Sequence, residues 1–81
     1  MKYYCDGFQS VEADDPSEAA EIFAARLARR EHGRAGRVGP VNMNGFVYGG
    51  GVWDYSAFIG YKGGGGGLTG ADVALSVYTK E

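Results

Sequence analysis

The sequence predicts an α+β domain in which a single helix packs on one face of a small antiparallel sheet, in the order β(β)–α–β–β–β. Three observations carry that expectation. One stretch holds a complete set of helix start and stop signals. Two later stretches alternate apolar and polar residues with a period of two, the signature of half-buried strands. Asp-Gly and Asn-Gly pairs mark chain reversals between extended segments. With 81 residues, a single compact domain over residues 1–81 is expected, small enough to have a narrow margin of stability.

The helix is "DDPSEAAEIFAARLARREHG". Asp15 is placed as the N-cap, Pro16 as the first helical residue and Glu18 three positions after the cap. Ala19, Ala20, Ala24, Ala25 and Ala28 are strong helix formers, and Gly33 is placed to end the helix. At about 100° per residue, Ala20, Phe23, Ala24 and Leu27 share a face that should meet the sheet. Ile22 falls on the far side, with Glu18, Ala25 and Arg29. Arg26, Arg29 and Arg30 have no acid three or four residues before them, so their guanidiniums are expected to be free for solvent, helix carbonyls or a partner.

The strands follow in order. "MKYYC" and "FQSVEAD" have β character, and Asp6-Gly7 between them predicts a type I′ hairpin; one long strand with a bulge at Gly7 is the alternative. After the helix, "RVGPVNM" reads as a short strand that Pro40 confines to an edge. Asn44-Gly45 gives a second hairpin signal, followed by "FVY". In "VWDYSAFIGYK", Trp53, Tyr55, Ala57, Ile59 and Tyr61 line one face, and Val52, Asp54, Ser56 and Phe58 the other. "ADVALSVYTK" alternates Val73, Leu75 and Val77 against Asp72, Ala74, Ser76 and Tyr78.

Residues 63–67 are five consecutive glycines. With Gly70 they formally match the dinucleotide fingerprint, which needs a helix after the glycines and an acid about 20 residues on. A strand pattern follows instead, and Lys62 precedes the run rather than closing it as a P-loop requires. The run therefore reads as a connection between antiparallel strands, where extra length costs little. His32 and Cys5 are the sole histidine and cysteine, too few for a closed zinc site. His32 suits the helix dipole at its C-terminal end. Asp14 and Asp15 suit the helix start. No catalytic constellation emerges, so the expectation is a protein without enzyme activity, cofactor or metal. A single cysteine, no apolar run of membrane-spanning length and no signal-peptide pattern predict a cytoplasmic protein.

Charge is polarised along the chain. Residues 1–21 carry six acids against Lys2, and residues 26–37 carry five arginines against Glu31; the net charge is −2. A helix dipole favours this order of signs. A partner surface is the other reading, with Asp14, Glu18, Glu21, Ile22, Arg26, Arg29, Trp53 and Tyr55 as the candidate contacts. "NGFVYGG" resembles the sheet motif of RNA-recognition domains, but Asn44 stands where that motif has a basic residue, and the Gly/Ala and second aromatic after Phe46 are absent. Aromatic stacking on the open sheet face is thus the alternative function, a small phage or bacterial nucleic-acid-binding module. The acidic net charge speaks against it.

In its organisation, one helix on a short sheet in an acidic, cysteine-poor, loop-rich chain without catalytic motifs, the sequence resembles small phage-encoded anti-CRISPR proteins. The resemblance spans the chain and rests on no residue motif. It implies a protein that binds a subunit of a type I CRISPR surveillance complex in the host bacterial cytoplasm. It further implies that target DNA binding is blocked without contact to nucleic acid or membrane. A monomer or weak homodimer is expected.

Overall fold

A computed structural model describes residues 1–46, 51–62 and 68–80. Expectations for the glycine run at 63–67, and for Val47 and Tyr48 of "FVY", lie outside the described residues. The chain runs through β1 (Lys2–Tyr3), β2 (Val11–Glu12), α1 (Pro16–His32), a 3₁₀ turn (Gly33–Ala35), β3 (Gly36–Phe46), β4 (Val52–Lys62) and β5 (Leu68–Tyr78). The architecture is α+β, with α1 against antiparallel strands, and the sheet is split in two. β3, β4 and β5 form a meander in that order, and β1 pairs with β2. Reciprocal backbone bonds between Tyr4 and Tyr78, at 2.7 and 2.9 Å, tie the small sheet to the outer edge of β5.

The helix begins as its sequence dictates. The Asp15 carboxylate accepts the Glu18 N–H at 2.8 Å, and Pro16 opens the first turn. Glu18 reaches back to the N–H of Asp14 (3.4 Å) rather than to that of the cap residue. Gly33 caps the C-terminus, donating its N–H to the Arg29 carbonyl. Ala19, Ala20, Phe23, Ala24 and Ala28 are buried, and Leu27 and Ile22 pack on the rim of the core. Ile22 thus corrects the expectation of a solvent-facing side chain. It borders the apolar stripe closely enough to be half-covered.

Tyr55, Ala57 and Ile59 of β4, and Leu75 and Val77 of β5, face the helix and are buried. The register Trp53↔Val77, Tyr55↔Leu75, Ala57↔Val73 puts both alternating patterns on the same side. Tyr3, Cys5, Val11 and Ala13 close the core from the small sheet. Phe23, Tyr55 and Val77 are its largest fully buried side chains.

Two turn readings change. Asp6-Gly7 does reverse the chain, with the Phe8 N–H bonded to the Cys5 carbonyl at 3.1 Å. Only Gly7 has positive φ (87°), whereas a type I′ turn needs it at both central residues. The reversal is a wider loop from Tyr4 to Ser10 with its sharp corner at Gly7, and β1 and β2 pair at its base. Asn44-Gly45 makes no hairpin. β3 continues through it, with an irregularity between Met43, opposite Tyr55, and Gly45, opposite Asp54. No non-glycine residue among those described has positive φ, so Asn44 is the extra residue of a bulge rather than a turn residue. Pro40 lies in a second irregularity, between Val38 and Val41, on the edge strand as expected.

Phe23 meets Phe8 with ring centroids 5.9 Å apart and is completely buried. Phe23→Ala is expected to cost about 3–5 kcal/mol, which is comparable to the whole stability of so small a core, roughly 3–5 kcal/mol. In urea unfolding followed by helical circular dichroism, Phe23→Ala should lose its cooperative transition. Phe23→Leu should keep one at a lower midpoint.

Candidate partner-binding surface

The sequence-predicted contacts do not form one patch. Asp14, Glu18 and Glu21 are exposed at the N-terminal end of α1, and Glu12 is exposed on the adjoining β2. Arg29, Arg34 and Arg37 are exposed toward the C-terminal end of the helix and the start of β3. At about 1.5 Å of rise per residue, Glu21 and Arg29 are about 12 Å apart along the helix and Glu18 and Arg29 about 16 Å, more than a Debye length of about 8 Å in physiological salt. Among the described residues one ion pair forms, between the Met1 amino group and Glu12 at 3.2 Å. The helix dipole accounts for Glu18 in the first turn and for Arg29 and Arg30 in the last. It does not account for Glu12, Arg34 or Arg37, which lie outside the helix.

Arg26 and Arg30 are engaged, which corrects their reading as free cations. The Arg26 Nη1 donates to the Gln9 carbonyl at 3.2 Å, and the Arg30 Nη1 to the Gly7 carbonyl at 3.3 Å. Arg30 also stacks over Phe8, 4.5 Å from the ring centroid. The two arginines fasten the loop between β1 and β2 onto the helix. Their acceptors are backbone carbonyls distant in sequence, so a search for acids three or four residues away cannot find them.

Tyr55 is 2% exposed, and its hydroxyl shares a hydrogen bond of 3.0 Å with the Ser17 Oγ. Trp53 packs edge-on against Tyr3 at 5.9 Å. Tyr61 stays partly exposed, its ring tilted against His32 with centroids 4.3 Å apart. The aromatic face of β4 is therefore the face that the helix and β1 cover, not the open one. As a candidate contact, Tyr55 is corrected to a core residue. The open face instead carries Asp54, bonded by the Ser76 hydroxyl at 2.8 Å, and Ser56, whose hydroxyl donates to Asn44 at 3.4 Å. Asp72 lies opposite Phe58 in the same layer. The strict alternation of both strands contains this acidic face, and Asp54 and Asp72 are readable from it.

At the outer edge of β5, Tyr78 stacks on Tyr4 and donates its hydroxyl to Asp6 at 2.9 Å, while the Lys80 ammonium caps the Tyr4 ring at 4.6 Å. The hydrogen bond to Asp6 pushes the Tyr78 hydroxyl above its ordinary pKa. Cys5 is buried, and desolvation, with the Asp6 charge adding to it, raises its thiol, so little thiolate forms near neutral pH. Burial likewise raises the Tyr3 hydroxyl. Among the described residues no group of three His, Cys, Asp or Glu side chains is placed to hold a metal ion, and no helix is long and apolar enough to cross a membrane.

Grooves lie beside the helix among the described residues. One, about 380 Å³, lies between Leu27, His32, Ile59, Tyr61 and Val73. A second, about 260 Å³, lies beside Cys5, Phe8, Arg30 and Leu75. Another, about 320 Å³, lies between α1 and β3. In comparisons with protein-family models, curated proteins and solved structures, nothing matches this chain.

The Tyr78–Asp6 bond carries a pH prediction. A tyrosine whose folded pKa is raised contributes stability that is complete below the unfolded value, near 10, and is lost as pH rises through the folded value. Tyr78→Phe should therefore melt below the wild type at pH 7, and the gap should narrow as pH climbs past about 10. Melting curves across that range check this; a gap that widens would contradict it.

Proposed function

We propose that this chain is a non-enzymatic binding protein that acts by stoichiometric contact, docking its acidic end on a lysine- and arginine-lined surface of a protein partner. The observation that carries the reading is the placement of Asp14, Glu18 and Glu21. All three are exposed at one end of the molecule, with no internal cation paired to them among the described residues. Charges left unpaired and clustered by sign steer encounters with an oppositely charged surface.

The resemblance to small phage anti-CRISPR proteins directs the proposal to one partner class, a subunit of a type I CRISPR surveillance complex in the bacterial cytoplasm. The path that such a complex offers to target DNA is basic, and an acidic protein seated there would exclude the DNA. The burial of Tyr55 and the packing of Trp53 leave no observation that favours nucleic-acid binding through the aromatic face of the sheet.

Titrating the purified chain into a type I surveillance complex, with target DNA binding read by mobility shift, tests the proposal. Loss of DNA binding near one equivalent of inhibitor is expected. The double variant Glu18→Lys/Glu21→Lys should associate about tenfold more slowly, because rim charges act mainly on the association rate, and should keep a cooperative melt at a lower temperature, because Glu18 also accepts the Asp14 N–H and suits the helix dipole. DNA binding that survives a large excess of the chain would remove the CRISPR assignment. An unchanged association rate would remove the acidic end as the contact.

A further inference from the structure

The edge of β3 opposite β4 pairs with no strand among the described residues. Beside its first residues runs the groove of about 320 Å³, lined by Ala25, Ala28, Gly36 and Val38 together with Arg29 and Arg34. Val38 is 37% exposed there, a large apolar side chain left facing solvent. Arg37, next to it on the strand, is exposed as well. Arg26 and Arg30 are held by loop carbonyls, but Arg29, Arg34 and Arg37 meet no carboxylate or carbonyl side-chain partner among the described residues.

We propose that this groove receives an extended, acidic segment of a partner protein. The segment adds as a strand along residues 36–38, lays one apolar side chain over Ala25, Ala28 and Val38, and sets its carboxylates against Arg29 and Arg34. Three features select that chemistry. The Gly36 N–H is held by the Gly33 carbonyl, but the edge beyond it pairs with no strand among the described residues, and an open edge offers N–H and C=O groups that another extended backbone matches. Ala25, Ala28 and Gly36 in its lining are small, so the apolar group that fills the groove comes from the ligand. Guanidinium forks bind carboxylates in paired hydrogen bonds and favour an acidic sequence over a basic one. The added strand is short. The irregularity that holds Gly39 and Pro40, and the missing N–H of Pro40, interrupt the ladder beyond Val38. This site lies toward the C-terminal end of the helix, while the acidic residues lie toward its start, and it does not depend on which partner the acidic surface meets.

The test uses the isotopically labelled full chain and two capped peptides, Asp-Glu-Val-Leu-Asp-Glu and its counterpart with every acid replaced by lysine. In a nuclear magnetic resonance titration to about 2 mM, a concentration suited to the weak affinity of a short peptide, the acidic peptide should give saturable shifts. These should centre on the amides of residues 25–29 and 36–38. The lysine peptide should give none. Arg29→Ala/Arg34→Ala should weaken binding by about tenfold or more, the scale expected when charge-assisted hydrogen bonds are removed. Val38→Asp, which places a like charge in the groove, should abolish binding while the other amide resonances keep their positions. The absence of saturable shifts, shifts centred elsewhere or equal response to the lysine peptide would each overturn the proposal. Sedimentation showing that the free chain dimerises with residues 36–38 protected from exchange would also overturn it, and would make a second copy the occupant.

Discussion

Ala28 and Gly36 set how closely the helix lies on the sheet. A Cβ at Gly36 would stand 2.3 Å from the Ala28 carbonyl oxygen and 2.7 Å from its carbon. There is no room for any side chain at that crossing. The rest of the inward helix face is matched to this approach. Ala19, Ala20 and Ala24 are wholly buried, and Phe23 is the one large side chain driven between helix and sheet. Close approach by small residues increases dispersion contacts but buries little apolar area per residue. The stability of the fold therefore concentrates in a few large groups, Phe23, Tyr55 and Val77, and in the loop between β1 and β2 that Arg26 and Arg30 fasten to the helix.

The same constraint arranges the charges. An inward face made of alanine leaves every charged helical residue on the outer side, with Glu18 and Glu21 toward the start and Arg26, Arg29 and Arg30 toward the end, where Glu31 is the one acid among them. The chain then turns at Gly33 and adds Arg34 and Arg37 beside the end of the helix, while β2 brings Glu12 beside its start. Because the acids near the start of the helix lie about 12 Å or more along its axis from the arginines near its end, they form no ion pair with them among the described residues. A folded chain with a small net charge is in this way left with two surfaces of opposite character. The acidic surface supports the proposed docking on a basic partner, and the basic one borders the open edge of β3.

Much of this was legible in the sequence where a local rule and the tertiary fold agree. The cap at Asp15, the stop at Gly33 and the alternation in β4 and β5 are all local, and all persist. Pro40 marks an edge because a missing N–H cannot be accommodated between two strands. The misreadings arise where the deciding partner is remote. Asn44-Gly45 has the composition of a turn, but pairing with Tyr55 and Asp54 on β4 holds it extended. Period two places Trp53, Tyr55 and Tyr61 together, yet it cannot say which face the helix will cover. Arg26 and Arg30 look unpaired on a helical wheel because their acceptors, Gln9 and Gly7, lie on another element. The groove between α1 and β3 depends on a crossing distance that no periodicity encodes.

The most direct test of that crossing is the stability of Gly36→Ala in urea. Gly36 has φ −67° and ψ 138°, a conformation that alanine adopts without strain. Backbone entropy alone would make the substitution stabilising by about 0.4–1 kcal/mol. The contact with the Ala28 carbonyl predicts the opposite sign, a loss of about 1–3 kcal/mol as the helix is pushed from the sheet. A variant as stable as the wild type, or more so, would contradict the close helix–sheet approach on which this description of the fold and its surfaces rests.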